Sequence, residues 1–151
     1  MIMTPATSAR RRAREVAFRV AYQADVAGDG YREAWALQRA SEERLSIDQL
    51  ELIDDVIGLL EASVARVDAE LQEALEDRWT MARLAATDRA VLRVAVAELL
   101  SRPGSPARVV LDEAIEIART FGSEESGRFV NGVLDRAARR LRPEEISGTE
   151  R

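Results

Sequence analysis

The sequence predicts an all-α protein, a compact single-domain bundle of six or seven helices, on three observations. Apolar residues recur at steps of three and four through most of the chain, and no segment shows the two-residue alternation of a strand. Glycine, proline and small hydroxyl residues gather in the short gaps between those periodic segments. Composition agrees: 151 residues, 46% hydrophobic and only 5% aromatic, suit helices built on Ala, Leu and Val around one core.

Taken in order, residues 1–7 read as a flexible N-terminal tail, and Ser8 is placed to cap a helix running to about Ala27. Gly28 and Gly30 end it. A second helix covers Tyr31 to about Arg44. Ser46 or Asp48 opens a long helical region reaching about Arg78. Its Leu50, Ile53, Ile57, Leu60, Val64, Val67, Leu71 and Ala74 form a seam suited to a coiled coil or to a bundle interior, and one compact domain favours the second. Gly58 and Ser63 are candidate kinks in it. Thr87 or Asp88 caps the next helix, which ends before "SRPGSP". Ser105 with Pro106 starts another, since proline suits the first turn, and Val110, Ala114, Ile117, Ala118 and Phe121 share its apolar face up to Gly122. Ser123 or Ser126 begins the last helix, with Val130, Val133, Leu134, Ala137, Ala138 and Leu141 in register. Pro143 begins a flexible tail, 143–151, so the helical domain is 8–142 and no internal repeat is visible.

Absent residue types narrow the chemistry. The chain has no His, Cys or Lys. It therefore lacks an imidazole base, a thiolate, a Schiff-base amine and the lysine of a P-loop, and it cannot build a Cys or His zinc site. Catalysis by paired carboxylates remains possible, but on a helical protein such acids are more often a solvated face. The expectation is a non-enzyme with no cofactor and no metal. No apolar run approaches the length of a membrane span or a secretory signal, and the lack of cysteine fits the cytoplasm.

Charge is unevenly placed in this chain of net charge −5. Residues 1–40 carry seven Arg against four acids, net +3, whereas residues 41–78 carry three Arg against twelve acids, net −9. The segment "RRRAR" puts Arg10, Arg11, Arg12 and Arg14 into the start of the first helix. Because every basic residue is Arg, position is more informative than residue type. On a helical wheel Ala9, Ala13, Val16, Ala17, Val20, Ala21 and Ala24 form the packing face, while Arg10, Arg11, Arg14, Phe18 and Tyr22 share a second arc flanked by Arg12 and Arg19. An exposed arc of guanidinium groups and rings suits RNA, phosphates meeting the charges and unpaired bases stacking on the rings. The alternatives are a solvated face with Phe18 in the core, or an acidic protein partner. Positive charge in a first turn opposes the helix dipole, which speaks against a purely structural role.

With those residues in view, "RRRAREVAFRVAYQAD", "TDRAVLRVAVAELL" and "VVLDEAIEIARTFGSEESGRFVNGVLDRAAR" resemble, in order and spacing, the NusB family of bacterial transcription antitermination factors. The stretch Phe121 to Asp135 is the most specific part, and residues 28–48 fall outside the likeness. The resemblance implies a NusB-like all-α fold and an adaptor that binds boxA RNA of ribosomal RNA leaders. It implies partnership with NusE, a ribosomal small-subunit protein, in a complex through which RNA polymerase resists termination. It also carries RNA contacts onto Arg10, Arg11, Arg12, Arg14, Tyr22, Glu125, Arg128 and Phe129. Some members form homodimers that hide the RNA surface, so a homodimer stays open as a further partner. Two other readings stay open as well: a stand-alone relative of the RNA-binding domain of rRNA cytosine methyltransferases, and a helical interaction module using the acidic face of residues 48–77. On the last helix, Phe129 sits at the margin of the apolar face, with Arg128, Asn131, Gly132 and Asp135 on the exposed arc.

Overall fold

The computed structural model describes residues 5–42 and 44–146, and among them regular structure is helical throughout. Seven α-helices follow one another: α1 Pro5–Ala27, α2 Tyr31–Arg39, α3 Ile47–Ala74, α4 Ala86–Ser101, α5 Ala107–Phe121, α6 Glu124–Leu141 and the short α7 Pro143–Ile146, with a 3-10 turn at Met81–Arg83 before α4. The helix α4 lies at the centre, against α1, α3, α5 and α6. Its sequence explains the position, because nearly every residue from Ala90 to Leu99 is buried and a helix apolar on all sides must be surrounded. Leu52, Ile53, Ile57, Leu60, Leu71, Leu92, Leu111 and Leu134 form the heart of the core.

Local chemistry sets the ends. The helix α1 stops where Gly28 adopts φ +77°, a left-handed conformation that favours glycine, and its N–H reaches the Ala24 carbonyl at 3.0 Å. Ser46 caps α3 in a reciprocal box: its hydroxyl accepts from the Gln49 N–H, and Gln49 Oε1 accepts from the Ser46 N–H. The α3 seam packs inside the bundle, and the helix bends at Ser63, whose φ of −152° and ψ of 50° interrupt the ladder; Gly58 continues it unbroken. Ser123 caps α6 by accepting from the Ser126 N–H at 3.1 Å. Gly127 is where α6 meets α5, since a Cβ there would stand 2.8 Å from Arg119 Cγ. At Gly132 a Cβ would meet only the end of Arg136, so packing does not require that glycine.

Several boundaries differ from the sequence reading. The helix α1 begins at Pro5, so Ser8 lies within it, and the tail expected over residues 1–7 is helical from Pro5; residues 1–4 lie outside the described residues. The helices α2 and α3 end at Arg39 and Ala74, earlier than expected. Neither Thr87 nor Asp88 caps α4, which starts at Ala86 and leaves Asp88 in its first turn. Ser105 does not open α5. It is buried, and its hydroxyl donates to Glu98 Oε2 at 2.8 Å.

The C-terminal tail is also tied down as far as Ile146, with 147–151 outside the described residues. Arg142 is buried and donates to the carbonyls of Leu99, Arg102 and Ser105 at 3.0–3.1 Å, answering unpaired groups at the end of α4. Glu145 Oε1 accepts from the Ala107 N–H at 2.7 Å, supplying to α5 the cap that Pro106 lacks. That backbone bond, together with Arg142, holds the Glu145 carboxyl below its ordinary range. Ile146 then enters the core.

Candidate nucleic-acid interface

Beginning at the N-terminal arginines, each guanidinium of the run meets a carboxylate from a different part of the chain. Arg10 Nε and Nη2 donate to both oxygens of Asp48 in α3 at 3.0 and 3.1 Å. Arg11 Nε donates to Glu113 of α5 at 3.0 Å, and Arg12 Nη2 to Glu42 at 3.3 Å. These three side chains are 39%, 37% and 35% exposed, so each faces solvent along one edge. The Arg10 hydrogen bond is the main reason that the Asp48 carboxyl is held below its ordinary value.

Arg14 departs from the expected exposed arc. It is only 4% exposed and grips Glu98 of α4 with two bonds of 2.7 and 2.8 Å, with Glu113 at 3.3 Å. Burial opposes its charge, but the bonds and charges of Glu98 and Glu113 outweigh it, and the guanidinium pKa is raised. The physical reason lies in α4 and α5, each of which places a buried glutamate opposite this turn of α1. Phe18 is likewise core, at 4% exposure, and the wheel missed both because it cannot show which neighbouring helices close over an arc.

Further along α1 the surface becomes aromatic. Tyr22 is 39% exposed and Phe121, at the end of α5, is 42% exposed. Both pack on Phe18, with ring centroids 6.2 and 5.0 Å away. Together they line a groove of about 580 Å³ whose other wall is polar: Arg19, Gln23, Gln38 and Glu42. Phe121, on the apolar face expected of α5, is carried to the surface by the last turn of that helix. A second groove, about 330 Å³, lies beside the start of α6 and is lined by Trp79, Arg83, Asp88, Glu125, Ser126 and Phe129. Phe129 is half-buried against Trp79, centroids 5.8 Å apart, so its marginal position on the wheel is matched. Asp88 Oδ1 is buried without a hydrogen-bond partner, and burial pushes its carboxyl up against the opposing bond from Ser126. Glu125 and Arg128 are exposed.

The two grooves flank the first turn of α4, Thr87 lining one and Asp88 the other. Tyr22 and Phe129 are thus brought to neighbouring depressions, with the arginine run two to three turns away along α1. Trp79, Gln38 and Glu42 were not anticipated. Trp79 stands outside any periodic segment, and the other two lie outside the motifs that carried the resemblance. The acidic segment is less available than its net charge suggests, since Asp48, Asp55, Asp68 and Glu70 pair with Arg10, Arg102, Arg93 and Arg140. No group of acidic residues able to hold a metal ion, and no helix long and apolar enough to cross a membrane, occurs among the described residues.

Comparison with known proteins places this geometry. The NusB family model matches residues 11–139. A transcription antitermination protein NusB of Anaeromyxobacter dehalogenans is 43% identical over 137 residues, 91% of this chain and 95% of the relative. The solved T. maritima NusB superposes with a TM-score of 0.81 at 34% identity, covering 91% of this chain and 96% of its own. A crystal structure of NusB and NusE in complex with double-stranded RNA shares the fold, with a TM-score of 0.76 at 24% identity and coverage of 88% and 98%. Sequence and fold agree over the same span, and the chain belongs to the NusB family.

Proposed function

We propose that the protein is a cytoplasmic, non-catalytic RNA-binding antitermination factor that binds boxA RNA of ribosomal RNA leaders together with NusE, helping RNA polymerase resist termination. The observation that carries this reading is the convergence of two aromatic grooves at the start of α4, beside a helix whose N-terminal end is lined with arginine. Rings at the floor of open grooves suit unpaired bases, and guanidinium groups on the same helix suit the connecting phosphates. Supporting it, relatives bear the name transcription antitermination protein, and a protein of this fold was solved with NusE and RNA.

Within this proposal Arg10, Arg11 and Arg12 contact phosphate, Tyr22 and Phe129 stack, Glu125 lines the second groove, and Arg128, exposed on the same helix, meets phosphate. Arg14 is reassigned: buried between Glu98 and Glu113, it holds α1 on α4 and so positions the contacts. A titration of boxA-like and scrambled RNA, each with and without NusE, tests the reading. Preference for boxA-like RNA, increased by NusE, is expected. Equal binding of both RNAs under all conditions overturns it.

A further inference from the structure

Glu42 closes a small charge cluster that the RNA reading leaves unexplained. Its two carboxylate oxygens are divided between two guanidinium groups of α1: Oε1 accepts from Arg12 Nη2 at 3.3 Å and Oε2 from Arg19 Nη2 at 3.1 Å. The arginines are seven residues apart, about 10.5 Å of helix rise, on one face. Their side chains are 35% and 39% exposed, whereas that of Glu42 is only 14% exposed, so the acid sits beneath the pair. Its backing is fixed. Gln38 Nε2 donates to the Arg19 carbonyl at 3.0 Å and to Gln23 Oε1 at 2.8 Å, clamping the end of α2 onto α1. Both Arg19 and Glu42 line the groove that holds Tyr22 and Phe121.

From this geometry we infer that Arg12 and Arg19 form a masked phosphate site, and that Glu42 is a specificity-determining residue which RNA phosphate must displace. The inference rests on the RNA-binding reading above and assigns Arg19 and Glu42 to it. One carboxylate shared by two guanidinium groups lowers the positive charge this face offers to a passing polyanion. A phosphate arriving alone must compete with an anion already in place. A phosphate tethered to a base seated on Tyr22 competes at high local concentration and takes the arginines. The exchange also limits ion release, because the displaced Glu42 regains its own cation as the RNA loses one.

The test compares Glu42→Gln with Asp55→Asn, which removes the same unit of charge from an exposed pair with Arg102 outside the grooves. Affinity for scrambled and boxA-like single-stranded RNA is measured over a range of salt. Glu42→Gln is expected to tighten scrambled RNA by about threefold or more, as expected for release of two part-exposed ion pairs. It should tighten boxA-like RNA less, narrowing discrimination, and steepen the salt plot by about 0.7 for each phosphate contact unmasked. In an Arg12→Ala/Arg19→Ala background the gain should vanish. Equal effects of Glu42→Gln and Asp55→Asn, or a gain that persists without the two arginines, overturn the masked site while leaving RNA binding intact. Absence of RNA binding by the unaltered protein overturns both this inference and the reading beneath it.

Discussion

At the N-terminal end of α1, Arg10, Arg11, Arg12 and Arg14 are each held by a carboxylate, whereas at the start of α6 Glu125 and Arg128 reach solvent without an ion pair among the described residues. The first region is electrostatically prepaid: polyanion binding there exchanges one anion for another. The second offers rings and an unpaired guanidinium, so contacts there are added outright. A surface built this way draws less affinity from charge than its arginine count suggests and more discrimination from its grooves. Within the first region depth separates roles again. Arg10 and Arg14 are one turn apart, yet Arg10 faces solvent along one edge and Arg14 is enclosed.

That difference in depth gives the largest expected effect. Arg14→Ala leaves Glu98, fully buried, and Glu113, 6% exposed, without their shared cation. Breaking a buried pair from one side typically destabilises by about 3–5 kcal/mol, because a charge remains without compensation. The urea midpoint should fall sharply, and RNA binding only through the unfolded fraction. Arg14→Met with Glu98→Leu should recover part of the loss. Lost RNA binding at unchanged stability would place Arg14 among the contacts after all.

Next come the rings. Phe129→Ala should reduce RNA affinity by about 1–3 kcal/mol, the range for a stacking side chain. It should also lower stability, by less than the about 3–5 kcal/mol of a fully buried Phe, since Phe129 is only partly buried where it packs on the core. Tyr22→Ala separates the two quantities better: at 39% exposure, its loss should appear mainly in RNA binding. Paired titrations and melting curves for both variants check this, and a Tyr22 variant that melts early but binds normally removes the first groove from the interface.

How much of this was legible in the sequence follows from what sets each feature. The packing face of α1, from Ala13 to Ala24, and the α3 seam were readable because one helix's periodicity determines them. The Ser46 and Ser123 caps were readable as local chemistry. Arg14 and Phe18 were misplaced because their burial depends on glutamates and rings at positions 98, 113 and 121, which no local pattern connects to them. The first groove was half visible for the same reason: Tyr22 belongs to α1, but its opposite wall comes from Gln38 and Glu42, outside the motifs that carried the resemblance. The tail after Pro143 looked free because the value of Arg142 and Glu145 lies in backbone groups of other helices.

A smaller effect tests the run itself. With α1 starting at Pro5, Arg10 and Arg12 lie beyond its first turn, and removing them frees Asp48 from its partner and leaves Glu42 with Arg19 alone. Arg10→Ala with Arg12→Ala should therefore change stability by no more than about 1 kcal/mol per part-exposed pair. Adding Arg11→Ala should destabilise further, since Arg11 neutralises Glu113, 7% exposed. On RNA, the double variant should flatten the salt plot by less than the about 0.7 per contact of unmasked arginines, and Arg128→Ala should approach that full value. A full-sized change at Arg10 and Arg12 would show that their carboxylate partners do not compete.

The smallest effect is a pair of opposite pH signatures, one from each region. Asp48 is held below its ordinary pKa first by the Arg10 hydrogen bond, so the folded state binds its proton more weakly than the unfolded chain. Its contribution to stability is present above the ordinary carboxylate range and is lost as pH falls below about 4. Asp88 is raised by burial, with the Ser126 bond opposing, so the folded state binds that proton more tightly. Stability linked to Asp88 therefore declines as pH rises from the ordinary carboxylate value through the raised one. Urea midpoints of Asp48→Asn and Asp88→Asn, measured against the unaltered protein from acid to neutral pH, separate these. The deficit of Asp48→Asn should grow towards neutrality, within the about 0.2–1 kcal/mol of a part-exposed pair. The stability of Asp88→Asn relative to the unaltered protein should rise over the same interval. If both differences move in the same direction, the paired acid beside Arg10 and the buried acid of the second groove do not differ as their surroundings require.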